Sequence, residues 1–409
     1  MKRVLIFFPH NLFPPRSGAH QRCAQMMQGF HALGAEVTLA SSTYTSETLW
    51  RAVTSTELQT AGISQLRIHQ STIWDRRYVK YMHKLYQTLH RQPPLDSFHY
   101  APPGLRRWFQ NLVQELEPHV IIVNYAFWGG LINAAMQKSS VTVMDTLDLV
   151  SLYRPRFLVM EQYLPPPPIS PFGIDPKFLR EDFFDAFDFR VSAQEFAIFD
   201  RFRYTIAITR ADAELVSKNT SRTRVLTIPM TQEICALDNQ YDGAALFTPG
   251  RNPFNIQGYL YFAARVLPRV LESEPNFCLH VTGAVCDDLR AVPGIALRGF
   301  LPDLLSEYTH ARFLICPILG KTGQQIKIVQ AMAHGVPVIA TRAAAEGSPI
   351  RHGENGLVAR DANEFAEHVL TLWRDRALCQ TMGQAARETI AREFSQTLLV
   401  QQIAPLLDG

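Results

Sequence analysis

Residues 313–341, FLICPILGKTGQQIKIVQAMAHGVPVIAT, set the frame for the rest of the chain. The apolar run Phe313–Pro317 predicts a buried strand, a loop bounded by Gly320 and Gly323 follows, and a helix is expected from near Gln324 to His334. Val336–Thr341 then reads as the next strand. A glycine-bounded loop at a helix N-terminus offers free backbone N–H groups and the positive end of the helix dipole, which suit a phosphate. Lys327 is expected one turn into that helix, with Gln330 three positions on and on the same face. The ammonium can neutralise a diphosphate, and the amide can hydrogen-bond sugar hydroxyls. A surface lysine on an amphipathic helix is the plain alternative, since a lone glycine loop is weakly specific.

Outward from this stretch, short apolar strands alternate with amphipathic helices. Val4–Phe8, Glu36–Ser41, Val120–Asn124, Val141–Asp145 and Tyr204–Thr209 read as strands before Pro229. Ala245–Pro249, Phe277–Thr282, Ala296–Gly299 and Val336–Ala340 do so after it. Helical patterns lie at His20–Leu33, Gly258–Leu271, Leu301–His310 and Asn363–Arg374. Near-continuous β-branched runs alternating with helices predict parallel sheets covered on both faces. The expected fold is α/β, two doubly wound Rossmann-like domains facing a central cleft, with residues 1–228 in the first and 229–389 in the second.

A chain of 409 residues is long enough for two or three domains. Residues 1–228 hold 25 Lys/Arg and 19 Asp/Glu, whereas 229–409 hold 15 and 18, so a basic half joins an acidic one. The net charge of +3 excludes a histone-like polycation, and the hydrophobic fraction of 47% excludes a disordered chain. Six cysteines without C-x-x-C or metal-type spacing point to a reducing compartment and to no metal site. The apolar run after Met1-Lys2-Arg3 stops at Pro9, too short for a signal-peptide core, and no segment reads as a membrane span. A cytoplasmic protein is expected.

Two stretches break the rhythm. Tyr163–Pro176, with Pro165–Pro168, is expected to be a loop of polyproline character. Residues 67–107 hold eight Lys/Arg against two Asp/Glu, interleaved with Trp74, Tyr78, Tyr81, Tyr86, Phe98 and Tyr100. That segment admits three readings: a solvated helical face over core aromatics, a peripheral contact with anionic lipid at the inner face of the membrane, or nucleic-acid binding. No fold motif accompanies the charge, so no nucleic acid is expected as a partner.

The 313–341 stretch resembles the donor-binding region of retaining, GT-B-fold glycosyltransferases of family 4, whose members carry similar K-x-x-E-A-M-A-x-G-x-P-V-V runs. Asn255–Phe262 followed by Val266-Leu-Pro268 is similar to the N-x-x-G-x-x-x-F…V-L-P segment of one branch, and His352–Val358 resembles its H-G-x-N-G-L-L loop. Pro14–Arg22 resembles the glycine loop after the first strand. Asp145-Thr-Leu-Asp148, with Glu195 and Ile206–Asp212, resembles a D-T-H-D…E…R-A-D-x-V-I-A-I stretch. In order, these matches cover most of the chain.

The resemblance implies transfer of a hexose-type sugar from a nucleoside diphosphate sugar to the hydroxyl of a glycan, lipid-linked or small-molecule acceptor. Arg251 and Lys327 then fall where the family binds the diphosphate, and Asn255, Gly320, Gly323, Gln324, Gln325 and Gln330 line the donor site. Gly18, Arg22, Asp145, Asp148 and the Tyr125–Leu131 turn fall on the acceptor side. A C-terminal helix at about 390–409 is expected to cross back to the first domain. No resident cofactor is implied, and no D-x-D pair for a metal-bridged donor exists in the sequence. Three positions depart from the family pattern: its two glutamates are Thr322 and Gln330 here, and the histidine of D-T-H-D is Leu147. A non-catalytic partner protein of the same fold, or a nucleotide-sugar epimerase, are the rival expectations.

Overall fold

The computed structural model describes residues 1–15, 17–43, 50, 53–91, 93–96, 99–320 and 323–408. The chain forms two compact units: Met1–Ser151 with Arg190–Pro229 and Gln396–Gly409, and Leu152–Phe189 with Met230–Ser395.

The sheet of the first unit takes β1 (Arg3–Phe7), β2 (Glu36–Ser42), β3 (Gln65–His69), β4 (Val120–Asn124), β5 (Val141–Asp145), β6 (Tyr204–Ala207) and β7 (Arg224–Thr227) in the order β3-β2-β1-β4-β5-β6-β7. Its described pairings are parallel, with Val4 opposite both Val37 and Val120. Every residue of β4 and β5 is buried, as expected for strands covered on both faces.

The second sheet takes β8 (Ala245–Phe247), β9 (Leu279–Thr282), β10 (Ile295–Gly299), β11 (Leu314–Cys316), β12 (Val338–Thr341) and β13 (Gly356–Ala359) in the order β10-β9-β8-β11-β12-β13, again parallel. Two doubly wound parallel-sheet domains are therefore present. In such sheets ligands bind outside the carboxyl ends of the strands where the order reverses. Those points fall between β1 and β4 in the first unit and between β8 and β11 in the second.

The partition differs from the sequence expectation in two places. Residues 152–189 pack with the second unit although they precede Pro229, because Met160, Phe178, Leu179 and Phe183 are buried in its core. The Tyr163 ring stacks on Phe178 at 5.4 Å, and Phe183 meets Phe178 edge-on at 5.2 Å. The polyproline loop is thus one wall of a folded segment. At the C-terminus, the helix Arg376–Glu393 stays with the second unit through its buried Ile390, and the return begins at Gln396 rather than at 390. The helix Gln396–Ile403 then packs on Gly18–Ala32, where a Cβ on Gly29 would come within 2.7 Å of Ile403.

All six cysteines are free thiols; Cys23, Cys286, Cys316 and Cys379 are buried, Cys235 and Cys278 partly so. No helix among the described residues is long and apolar enough to cross a membrane.

Candidate functional site

In the second unit, the loops leaving β8 and β11 meet at the strand-order reversal. Asn252 caps the helix Pro253–Tyr261, its side chain accepting the Asn255 N–H at 3.0 Å, with Pro253 at the position where a missing N–H costs nothing. Asn255 is 4% exposed and works in both directions. Its Nδ2 donates to the Gly250 carbonyl at 2.8 Å, and its Oδ1 accepts from Lys327 Nζ at 2.7 Å. Lys327 Nζ also donates to Gln325 Oε1 at 3.1 Å. One chain of hydrogen bonds therefore links the loop after β8 to the loop after β11.

The helix begins at Ile326, two residues later than the sequence suggests, so Lys327 lies in its first turn. Lys327 is 7% exposed, and among the described residues it has two neutral oxygen acceptors and no carboxylate. Burial holds its pKa below the ordinary lysine value. A buried ammonium at a helix N-terminus, without a counter-charge, is electrostatically incomplete, and an anion would complete it. The surface-lysine alternative is thereby removed.

Arg251 points elsewhere. Its Nε and Nη2 make a two-pronged pair with the Asp288 carboxylate at 2.6 and 2.5 Å, while 60% of its side chain remains exposed. It is a largely exposed cation in the loop after β8, held by an acidic residue that nothing near it in sequence announced. Gln324 accepts the Met230 N–H at 2.9 Å through Oε1, and its buried Nε2 has no partner. Gln330 is half-buried, its carbonyl accepting from His334 Nδ1 at 2.7 Å. Gly323 is needed for its φ of +67°. Gly320 has a different reason: a Cβ there would collide with the Phe184 ring, which is itself packed on Phe183 and Phe254. Thr322 lies outside the described residues.

In the first unit, Ser17 caps the helix Gly18–Ala32 and leaves Gly18 as its first residue. Arg22 and Asp145, expected to touch ligand, are both fully buried and bond each other, Nε to Oδ2 at 3.1 Å. Arg22 Nη1 donates to the Pro229 carbonyl at 2.8 Å, while Arg22 Nη2 and Asp145 Oδ1 are buried without partners. They tie the helix Gly18–Ala32 to the end of β5 and to Pro229 after β7 rather than face solvent. Asp148 is half-buried beyond a tight turn in which its N–H donates to Thr146 O at 2.6 Å. That turn puts Leu147 at φ +57° and buries its side chain. Glu195 is also buried: it accepts the Val150 and Ser151 N–H groups at 2.8 and 2.9 Å, and burial raises its pKa. The Gly129-Gly130 pair serves packing, since a Cβ on Gly129 would meet Ile198 at 2.5 Å.

Sequence reasoning missed the histidines beside this edge. His20 and His10 flank the buried Phe8 ring at 5.5 and 6.1 Å. Burial, and secondarily the proximity of His10, lowers the His20 pKa from 6.5 to about 4. A group whose folded pKa is depressed contributes stability that is fully present above its unfolded value and is lost as pH falls toward the folded one. Thermal unfolding followed from pH 7 to pH 4 should therefore show acid destabilisation over that window. A His20→Gln variant should show a flatter profile; equal slopes would refute the assignment.

The fold and these crevices define a class, the two-domain parallel α/β proteins that include the GT-B glycosyltransferases. Residues 244–375 match the family model described as Glycosyl transferases group 1, so the second unit carries that domain. The chain is similar to the GDP-mannose-dependent alpha-(1-6)-phosphatidylinositol monomannoside mannosyltransferase of Mycobacterium tuberculosis, at 33% identity over 48% of this chain and 46% of that protein. It is also similar in fold to the sucrose-phosphate synthase of Thermosynechococcus elongatus, with a TM-score of 0.64, 16% identity and coverage of 100% and 98%. Anabaena HepE in complex with UDP and glucose gives a TM-score of 0.61 at 14% identity, covering 100% of both chains. The matched segments span about a third of one curated relative and under half of another, 34% and 46% of their lengths.

Proposed function

We propose that the protein is a retaining glycosyltransferase, moving a sugar from a nucleoside diphosphate sugar to the hydroxyl of a glycan or lipid-linked acceptor. The observation that carries this reading is Lys327, a buried ammonium with only neutral acceptors, in the first turn of a helix at the reversal point of its sheet. In the proposed reaction the diphosphate leaves on the face that the acceptor oxygen attacks, the acceptor's hydroxyl proton passes to the departing phosphate oxygen, and the charge growing on the diphosphate is met by Lys327 and the open N–H groups of the helix start. Such preorganised donors act most strongly where charge develops in the transition state. Arg251 would exchange part of its pairing with Asp288 for the distal phosphate, and Gln330 would bond sugar hydroxyls as a neutral partner. The reaction so written draws on no metal or organic cofactor. On the acceptor side, Gly18, the Tyr125–Leu131 turn and Asp148 would form a half-buried edge, and Arg22 with Asp145 would hold it in place.

Leu147 favours a second reading. Its buried apolar side chain brings no polar group to the position where the resemblance expects a histidine, as in a partner protein of the same fold without turnover.

The test is calorimetric binding of UDP, GDP, ADP and TDP, without metal and then with magnesium. A metal-independent preference for one nucleotide, followed by slow hydrolysis of its matching sugar, supports the transferase. Silence from all four in a folded protein overturns it in favour of the partner.

A further inference from the structure

The helix Ile73–Thr88 has three faces, and the fold covers one of them. At 100° per residue, Asp75, Val79, Met82 and Tyr86 share a stripe, and these are its buried or half-buried residues. Asp75 anchors this side by accepting the Gly104 N–H and the Thr72 hydroxyl, each at 2.8 Å. A second stripe runs Trp74, Tyr78, Tyr81, Leu85 and, just past the end, Leu89; all are exposed, Trp74 by 76% and Tyr81 by 67%. A third carries Arg76, Arg77, Lys80 and Lys84, also exposed, and none pairs with a carboxylate among the described residues. Asp75 is the helix's one acidic residue, and it is buried.

We propose that this outer surface docks on an anionic lipid bilayer. Trp74, Tyr78 and Tyr81 would sit at headgroup level, Leu85 and Leu89 would reach the upper acyl chains, and the four cations would meet lipid phosphates. Rings with one apolar and one polar end, beside a basic flank on a helix too polar to insert, are the chemistry of a helix lying in the interface plane. The Arg77 guanidinium already lies over the Trp74 ring at 5.6 Å, so the charge and the ring would enter together. A second copy meeting the same stripe would bring four unpaired cations against four, which opposes self-association there.

The test is co-sedimentation of the full chain with vesicles of phosphatidylcholine alone and of phosphatidylcholine mixed with phosphatidylglycerol, at low and high salt. Binding is expected only to the anionic vesicles, with a blue shift in tryptophan emission and loss at high salt. Removing two cations in Lys80→Gln/Lys84→Gln should weaken partitioning roughly 30-fold, from the typical contribution of a basic residue near a charged surface. Trp74→Ser/Tyr81→Ser should remove the blue shift. These side chains are exposed, so thermal unfolding and nucleotide binding should match the parent protein, which separates failure here from failure of the transferase reading. Equal partitioning by parent and variants, or no binding to anionic vesicles at low salt, overturns the proposal. So does a concentration-dependent dimer abolished by Trp74→Ser/Tyr81→Ser, which would assign the stripe to a second copy.

Discussion

Replacing Lys327 by methionine is expected to leave the protein folded while cutting sugar transfer by roughly 100- to 1000-fold, the range found when one preorganised donor to a developing anion is removed. Two opposing effects leave stability nearly unchanged. The substitution abolishes the cost of burying an ammonium, but it strands Asn255 Oδ1, which is held now at 2.7 Å. An unsatisfied buried acceptor costs about 1–3 kcal/mol. Thermal unfolding together with nucleotide calorimetry measures both halves of the expectation. An unchanged affinity for diphosphate in a folded variant would remove Lys327 from the site. A collapsed melting temperature would instead make its hydrogen bonds chiefly structural. Arg251→Ala offers a graded contrast, because its guanidinium is largely exposed and already paired with Asp288.

The second large effect concerns Arg22. With Arg22 and Asp145 both at zero side-chain exposure, Arg22→Met leaves a carboxylate buried without its cation. Breaking such a pair from one side costs about 3–5 kcal/mol, or about 10 °C in Tm for a unit of this size. The double variant Arg22→Met/Asp145→Leu should recover much of that loss, since well-packed apolar replacements of buried pairs are often neutral. If the two single changes simply add in the double variant, the pair is not coupled. Its role in fixing the strand edge then fails.

Strands buried on both faces could be read from the sequence almost to the residue. Val120–Asn124 and Val141–Asp145 are predominantly apolar, with Thr142 the one polar residue before their terminal Asn124 and Asp145, because both faces of a covered parallel strand are buried. The strands left unread, Gln65–His69, Arg224–Thr227 and Gly356–Ala359, all lie at sheet edges; partial exposure admits Gln, Arg and Thr in the first two and blurs the pattern, whereas the third is a short, mostly buried run of four residues. The place of Lys327 in the first turn of its helix was legible because its loop and helix are local in sequence. Asp288 was not, since its claim on Arg251 spans 37 positions and is made only by folding. The same limit misplaced Arg22 and Asp145. A charged residue at a strand end suggests contact with ligand, yet its burial is decided by a partner 123 positions away.

The distribution of thiols gives the two units separate clocks. Cys23 is the single cysteine of the first unit, fully buried, and the other five belong to the second. An alkylating reagent must wait for the native packing around Cys23 to open before it can react there, and thiolates rather than thiols carry that reaction. Burial pushes the Cys23 thiol up, which slows the reaction further while the unit stays closed. The rate at which Cys23 takes up label in the native protein therefore reports the opening of the first unit alone. Cys316 at the end of β11, equally buried, reports the opening of the second unit in the same way.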